Sequence, residues 1–196
     1  MKLETYPWNH IVTSGYYNEE LFTQMRDELN IEVEKIKKSK RFVGRNGRNH
    51  TILEQHNKSI FFRSEDGNIV SKLPATAACL QSKVIEDGML SLFSHYREYK
   101  GELEAKVNIN IIFDGGSYPI HDDCTEKVLT NVIFVAPEQS CGTKIYDKNK
   151  NYVKSINWEE NTSLIFPPLD NITWHSYESF PNSYRITINQ FLLRDI

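Results

Sequence analysis

The chain has 196 residues, with 23 lysines and arginines against 26 aspartates and glutamates, and 39% of it is hydrophobic. That length supports one domain with a sizeable core, and the near balance of charge excludes a role that rests on an overall polyanion-seeking field. No apolar run approaches the roughly 20 residues of a membrane helix, and "MKLETYPWNH" has no apolar segment of the kind that marks a secretory signal. The cysteines Cys79, Cys124 and Cys141 form no CxxC pair, which fits a reducing cytoplasm better than a disulfide framework.

The first hundred residues read as α/β. "WNHIVT" is a short strand. Asn18 then stands as N-cap to "EELFTQMRDELNIEVEKIKK", with acids in the first turn and lysines in the last, as the helix dipole favours. Leu21, Met25, Leu29, Val33 and Ile36 recur at three- to four-residue steps and predict one apolar stripe. A polar stretch from Ser39 to Lys58 contains Gly44 and an Asn46-Gly47 turn signal, and "SIFFR" is a candidate strand. A second helix is expected from Pro74, a residue tolerated in a first turn, to Tyr99-Lys100-Gly101, with a stripe of Leu80, Val84, Met89, Phe93 and Tyr96. Between the helices, Lys35, Lys37, Lys38, Lys40, Arg41, Arg45 and Arg48 cluster with no acid among them. The cluster reads as a solvated helix end and loop, or as a lid that meets an acidic or peptide substrate. Without interleaved aromatic residues it does not read as a nucleic-acid surface.

From Lys106 onward the period switches to two. "KVNINIIF", "SYPIH", "VLTNVIFVA", "TKIYD", "YVKSIN", "TSLIFP", "ITWHSYE" and "YRITINQFLL" are strand-like and separated by Gly, Pro, Asn and Asp clusters. "DKNKN" joins two of them as a hairpin. Eight short strands without an intervening helix predict a closed or two-sheet β architecture, for which a jelly roll is the natural solution. The expected organisation is a single domain over 1–196, mainly β with flanking helices. A helix-rich N-terminal portion, 1–104, would pack on a β core, 105–196.

The chemistry-bearing residues fall in that core. His121 and Asp123, in "DGGSYPIHDDCTEK", follow a Gly-Gly turn and lie on one side of an extended segment. Alone, such a pair is most often a solvated turn. Asp122 is the alternative carboxylate, but alternation turns it away from His121. The C-terminal half holds one further histidine, His175, and two histidines with one carboxylate make a facial metal triad that leaves sites open for other ligands. His10, His50, His56 and His95 have no comparable partner spacing and read as surface or core residues. Trp174 and Tyr177, which flank His175, are barrel packing or pocket wall. Arg185 sits inside an otherwise apolar strand, where it needs an anionic partner, and Thr187 shares its strand face.

The order His121-x-Asp123, His175, Arg185-x-Thr187 resembles the Fe(II)/2-oxoglutarate-dependent dioxygenases, and within them the prolyl-4-hydroxylase-like group of bacterial and phage proteins. "TYPWNHIVTSGYYNEELFTQMRDEL" is similar to that group's N-terminal strand, turn and helix, and "GTKIYD" to its Gly-rich step before the mid-barrel hairpin. The resemblance implies a double-stranded β-helix, with two ligands after strand II, a distal histidine on strand VII and the arginine on strand VIII. It implies Fe(II) held by His121, Asp123 and His175. It also implies 2-oxoglutarate held by Arg185 and Thr187, with O₂ as oxidant and hydroxylation of a peptidyl or small-molecule C–H bond with release of succinate and CO₂. Many members carry a tyrosine on the strand before the His-x-Asp turn. The nearest position here is Phe113, and Tyr118, Asn110 and Thr130 are the alternative polar contacts. Two other classes remain as readings. One is a cupin-type isomerase or sugar-binding metalloprotein, since "PPLDNITWHSYES" is similar to a cupin second motif. The other is a non-catalytic phage structural β-barrel.

Overall fold

Period-two segments become strands and the Asn18-capped segment becomes a long helix in a computed structural model, which describes residues 2–39, 50–52, 73–93, 103–123 and 125–194. The elements are β1 (Lys2–Glu4), β2 (His10–Thr13), α1 (Glu19–Ser39), β3 (His50–Ile52), α2 (Pro74–Cys79), α3 (Ser82–Phe93), β4 (Leu103–Phe113), β5 (Ser117–His121), β6 (Lys127–Ala136), β7 (Lys144–Tyr146), β8 (Tyr152–Ser155), β9 (Ser163–Phe166), β10 (His175–Glu178) and β11 (Tyr184–Arg194). "SIFFR", the Asn46-Gly47 turn, Tyr96, Cys124, His56, His95 and the Lys40–Arg48 part of the basic cluster lie outside the described residues.

All eight strands expected after Lys106 are present, as β4 to β11. Numbered I to VIII, they divide into a large sheet, whose central order VI-III-VIII-I is β9-β6-β11-β4, and a small sheet, whose order II-VII-IV-V is β5-β10-β7-β8. This is the jelly-roll order of a double-stranded β-helix, in which the chain winds alternately through two sheets. The N-terminal portion contributes more than helices: β1 and β2 extend the large sheet beyond β9, and β3 extends it beyond β4.

Alternation sorts the large sheet into two faces. Ile109 and Ile111 of β4, Leu129 and Ile133 of β6, and Ile186 and Ile188 of β11 turn outward and bury against α1 through Phe22, Met25, Leu29 and Val33. The inward face carries Val132, Phe134, Leu164 and Phe166, which pack with Trp8, Ile145 and Ile156 between the sheets. Asn18 Oδ1 accepts from the backbone N–H groups of Glu20 (3.1 Å) and Leu21 (3.3 Å), the expected N-cap. Glu28 of α1 in turn accepts from the Ala75 and Thr76 amides, both at 2.8 Å, and so caps α2 from a neighbouring helix.

The second helix departs from expectation. It is two helices, broken at Leu80 and Gln81, where Leu80 leaves helical geometry (φ −105°, ψ 14°). The break shifts the phase of the stripe: Ile85, Met89 and Leu92 bury, while Val84 turns outward and is 44% exposed. Of the basic cluster, Lys35 pairs with Glu32 and Lys37 with Glu34 on the surface of α1.

One glycine is required by close approach. A Cβ on Gly142, just before β7, would lie 1.7 Å from the Ile156 carbonyl oxygen. The backbones of the β7 and β8 segments meet there, which fixes the small sheet's edge beside the Arg185 pocket.

Candidate metal centre

His121 closes β5, His175 opens β10, and the antiparallel register sets them directly opposite each other. Paired strands stand about 4.8 Å apart, so pairing alone juxtaposes the rings, whose centroids are 4.1 Å apart at 52°. The same device orients both. Each Nδ1 lies 2.9 Å from the carbonyl two residues back, Pro119 for His121 and Thr173 for His175. With Nδ1–H donating to that carbonyl, the Nε2 lone pair is left for another partner.

Asp123 completes the cluster. Its Oδ1 accepts from Lys127 Nζ and its Oδ2 from Thr130 Oγ1, each at 2.6 Å. One donor atom from each of His121, Asp123 and His175 lies within 4.8 Å of the other two. A first-row divalent ion with bonds of about 2.1 Å takes adjacent donors roughly 3 Å apart, so donors within 4.8 Å of one another need approach by no more than about 2 Å to share one ion.

Electrostatics prepares the same donor set. Burial, and after it the nearby His175, pushes the His121 imidazole down to about 4. Burial lowers His175 as well. Both rings are therefore neutral at pH 7, the form that binds metal. Burial opposes ionisation of Asp123, but His175, the Lys127 ammonium and the hydrogen bonds from Lys127 and Thr130 outweigh it and hold the carboxyl below its ordinary value. Two neutral imidazoles and one carboxylate suit ferrous iron with open coordination positions.

Asp122 does not join them. Its Oδ2 accepts from the Asn171 backbone N–H at 2.7 Å. It thereby ties the loop after Pro167-Pro168, which delivers His175, to the turn that carries Asp123. Within that loop the Leu169 amide donates to Thr173 Oγ1 at 3.0 Å.

Across the barrel, Arg185 is 1% exposed. Its Nε donates to the Cys141 carbonyl (3.1 Å), Nη2 to Thr143 Oγ1 (3.1 Å) and Nη1 to Thr187 Oγ1 (3.4 Å). A guanidinium has five N–H groups, so two remain, and among the described residues no carboxylate pairs with it. Burial brings it down to about 10, and it is still charged at neutral pH. The rings of Tyr177 (4.8 Å), Trp158 (5.3 Å) and Phe134 (5.5 Å) surround it.

The register corrects one expectation. Arg185 pairs with Ile112, Thr187 with Asn110 and Asn189 with Asn108, so Ile112 faces the arginine and Phe113 does not. Phe113 turns to the helix side, where it joins the outer core and lies 6.4 Å from the Tyr184 ring. Of the three alternative contacts, Thr130 is committed to Asp123. Asn110 shares the inward face beside Thr187. Tyr118 lies edge-on to His121 at 4.4 Å and stacks on Tyr177 at 5.3 Å.

Sequence reasoning missed Lys127 and Thr143. Only the spacing of Lys127 and Thr130 after Asp123 carried a local hint. Asn108 and Asn189, on the same inward face, were also missed; their Oδ1 atoms are buried without a hydrogen-bond partner among the described residues. His10 is a core residue whose Nδ1 bonds the Trp8 carbonyl at 2.8 Å. Trp174 is buried packing under Lys150, whose Nζ sits 3.9 Å from the ring centroid.

No family model matches the sequence, and no curated protein matches it. Solved structures do. A prolyl-4-hydroxylase from Pseudomonas putida aligns over 95% of this chain and 93% of its own, at 10% identity and a TM-score of 0.64. The viral collagen prolyl hydroxylase of Paramecium bursaria Chlorella virus-1, in its 2-oxoglutarate complex, aligns over 95% and 96% at 14% identity and a TM-score of 0.57. A prolyl hydroxylase from Trichoplax adhaerens, in complex with a hypoxia-inducible-factor degradation-domain peptide, aligns over 94% and 83% at 15% identity and a TM-score of 0.61. The chain has the fold of the prolyl 4-hydroxylases, a mainly β jelly roll with flanking helices. At this identity the likeness is one of fold.

Proposed function

We propose that this single domain is an Fe(II)- and 2-oxoglutarate-dependent dioxygenase that hydroxylates a C–H bond of a peptidyl or small-molecule substrate, releasing succinate and CO₂. The observation that carries the reading is a pairing across the barrel. Two neutral imidazoles and a carboxylate converge within 4.8 Å on one side, and on the other stands a buried arginine with no carboxylate partner among the described residues. A diacid would complement the two, one end toward the metal and one toward the guanidinium.

His121, Asp123 and His175 would hold the iron, and ferrous iron bound there with a 2-oxo acid would supply the oxygen-activating chemistry. Arg185 would offer its two remaining N–H groups to the far carboxylate, with Thr187 and Thr143 holding the guanidinium in place. Lys127 and Thr130 fix both oxygens of Asp123, so that the carboxylate reaches the metal in one orientation. Phe166, 5.2 Å from the His175 ring, and Phe134 and Trp158, 5.5 and 5.3 Å from the Arg185 guanidinium, would give the site apolar walls. The peptide bound to the Trichoplax enzyme favours a peptidyl substrate. The inward carboxamides of Asn108 and Asn189 are suited to peptide groups, which offer matching donors and acceptors.

The test is anaerobic loading with Fe(II), followed by measurement of 2-oxoglutarate-dependent succinate formation on admission of O₂. Iron retention with 2-oxoglutarate-dependent succinate formation is the expected result. Zinc or manganese retained without 2-oxoglutarate binding would instead support a cupin-type metalloprotein. Failure to bind any metal would support a non-catalytic scaffold.

A further inference from the structure

Two buried acceptors on the inward wall belong neither to the metal trio nor to the arginine pocket. Asn108 of β4 and Asn189 of β11 stand directly opposite each other in the antiparallel register. Both Oδ1 atoms are buried, and neither has a hydrogen-bond partner among the described residues. Resting on the oxygenase reading above, we propose that the two are specificity-determining residues. Their Oδ1 atoms accept backbone N–H groups of a peptidyl substrate, close to the residue whose C–H bond is oxidised.

Alternation puts Thr187, Asn189 and Phe191 on one face of β11. Thr187 Oγ1 touches Arg185 at one end of this row. At the other end Phe191 lies 3.7 Å from Lys127 Nζ, the ammonium bonded to Asp123. β6 repeats the order: Val132 pairs with Asn189, between Phe134 beside Arg185 and Thr130 bonded to Asp123. The asparagine pair therefore lies midway along the wall, between the arginine and the metal ligands. One two-residue repeat along a strand is about 7 Å, and an extended peptide advances about 3.4 Å per residue. An amide held by the pair thus belongs within about two residues of a C–H bond at the metal.

The donor these oxygens call for is a neutral one. A buried oxygen without a donor is costly, and an aliphatic ligand surface would leave it so. An ammonium or guanidinium group would be repelled by Arg185 and by a metal ion in the trio. Peptide N–H groups donate without adding charge. Both asparagines are only part-buried, which leaves the wall reachable, and the broad χ2 torsion of asparagine lets each carboxamide turn its oxygen toward a ligand. Neighbouring strands stand about 4.8 Å apart, so the pair presents two acceptors side by side.

The variants are Asn108→Leu and Asn189→Leu, which keep a branched side chain and lose the amide. Chemical denaturation of the metal-free proteins comes first. Midpoints equal to or above wild type are expected, because leucine removes an unsatisfied acceptor; a fall in both variants makes the carboxamides structural and overturns the inference. Calorimetry with Mn(II) follows, and 2-oxoglutarate affinity equal to wild type is expected. A tenfold weakening there assigns the pair to the cosubstrate and overturns the inference as well. The third arm presents a library of N-acetylated, C-amidated hexapeptides with Fe(II), 2-oxoglutarate and O₂, and reads a mass gain of one oxygen atom. In the best peptide each backbone N–H is then replaced in turn by an ester oxygen. The expected loss is about tenfold in kcat/KM at a position within about two residues of the oxidised one, and no further loss from that ester in the variant lacking the matching oxygen. Ester effects of equal size in wild type and in both variants overturn the inference. Wild type that forms succinate from 2-oxoglutarate yet oxidises no peptide overturns it alone and leaves the oxygenase reading standing. Wild type that neither retains iron nor consumes 2-oxoglutarate sinks both.

Discussion

Replacing Arg185 with methionine separates a ligand-binding charge from a structural one. In the free protein the guanidinium bonds three neutral acceptors, Cys141 O, Thr143 Oγ1 and Thr187 Oγ1. At about 0.5–1.5 kcal/mol each, they contribute roughly 1.5–4.5 kcal/mol. Against that stands a buried charge. Its fall from 12.5 to about 10 corresponds to about 3 kcal/mol of desolvation cost in the folded state. The two nearly cancel, so Arg185→Met, of similar length and apolar, should change the stability of the ligand-free protein by less than about 2 kcal/mol. Ligand binding is a different matter. Two charge-assisted hydrogen bonds at about 1.5–3 kcal/mol each make the diacid at least a hundredfold weaker in the variant. At a concentration near 100 times the wild-type Kd, 2-oxoglutarate stabilises wild type by about 2.7 kcal/mol, and the same concentration stabilises the variant by about 0.4 kcal/mol. For a chain of this size that is a Tm rise of roughly 5–10 °C against about 1 °C. Thermal unfolding with Mn(II), with and without 2-oxoglutarate, reads both numbers. A variant that shows the wild-type ligand shift refutes the assignment. One whose ligand-free stability drops by more than about 4 kcal/mol makes Arg185 a structural pillar instead.

Three further outcomes follow from the geometry. The His121 pKa is lowered to about 4, so between about pH 4 and 6.5 the unfolded chain takes up a proton that the folded protein refuses. The histidine's contribution to stability is present above pH 6.5 and is lost as pH falls toward 4. Protonation of His121 should accordingly cost no metal affinity between pH 7 and 6, and a tenfold loss over that range in a metal titration would contradict it. Thr130→Val removes the hydroxyl that orients Asp123 while keeping its shape, and should weaken metal binding by about 10–100-fold with little change in Tm; metal affinity equal to wild type in the same titration would remove Thr130 from the site. Gly142→Ala sets a Cβ 1.7 Å from a backbone oxygen and should cost about 3 kcal/mol or more in chemical denaturation, since neither backbone can give way cheaply.

Much of this arrangement was legible in the sequence, for local reasons. The eight strands announced themselves through alternation bounded by turn residues, and α1 through Asn18 and its apolar stripe. The trio was readable because the C-terminal half carries only His121 and His175, and strand order II-VII is what sets them opposite each other. What stayed hidden depends on partners distant in the chain. No glycine or proline marks the break at Leu80 and Gln81, so periodicity ran on through it and set the exposed Val84 on one stripe with Leu80 and Met89, which do bury. The parity of Ile112 and Phe113 is set by pairing with β11, some seventy residues away, and nothing in "NINIIF" specifies which of the two faces inward. Thr143 reaches Arg185 from the segment that Gly142 lets through, a contact that no spacing encodes.

The division of labour between the sheets has a thermodynamic consequence. The proposed metal ligands lie on the β5–β10 side and Arg185 on β11, so neither group requires the other in order to form. On the proposed reading a diacid that touches both would couple them. If the metal tightens 2-oxoglutarate binding by some factor, 2-oxoglutarate must tighten metal binding by the same factor. On the proposed reading Arg185 meets the end of the ligand remote from the metal. Its loss should therefore lower diacid affinity while leaving that coupling factor almost unchanged, because the chelating end is untouched. Loss of Thr130 works in the opposite sense: it disturbs Asp123 and, through it, both metal affinity and the coupling. On the proposed reading the jelly roll would keep chelation and carboxylate recognition as separable properties of opposing walls, joined by the ligand that spans them.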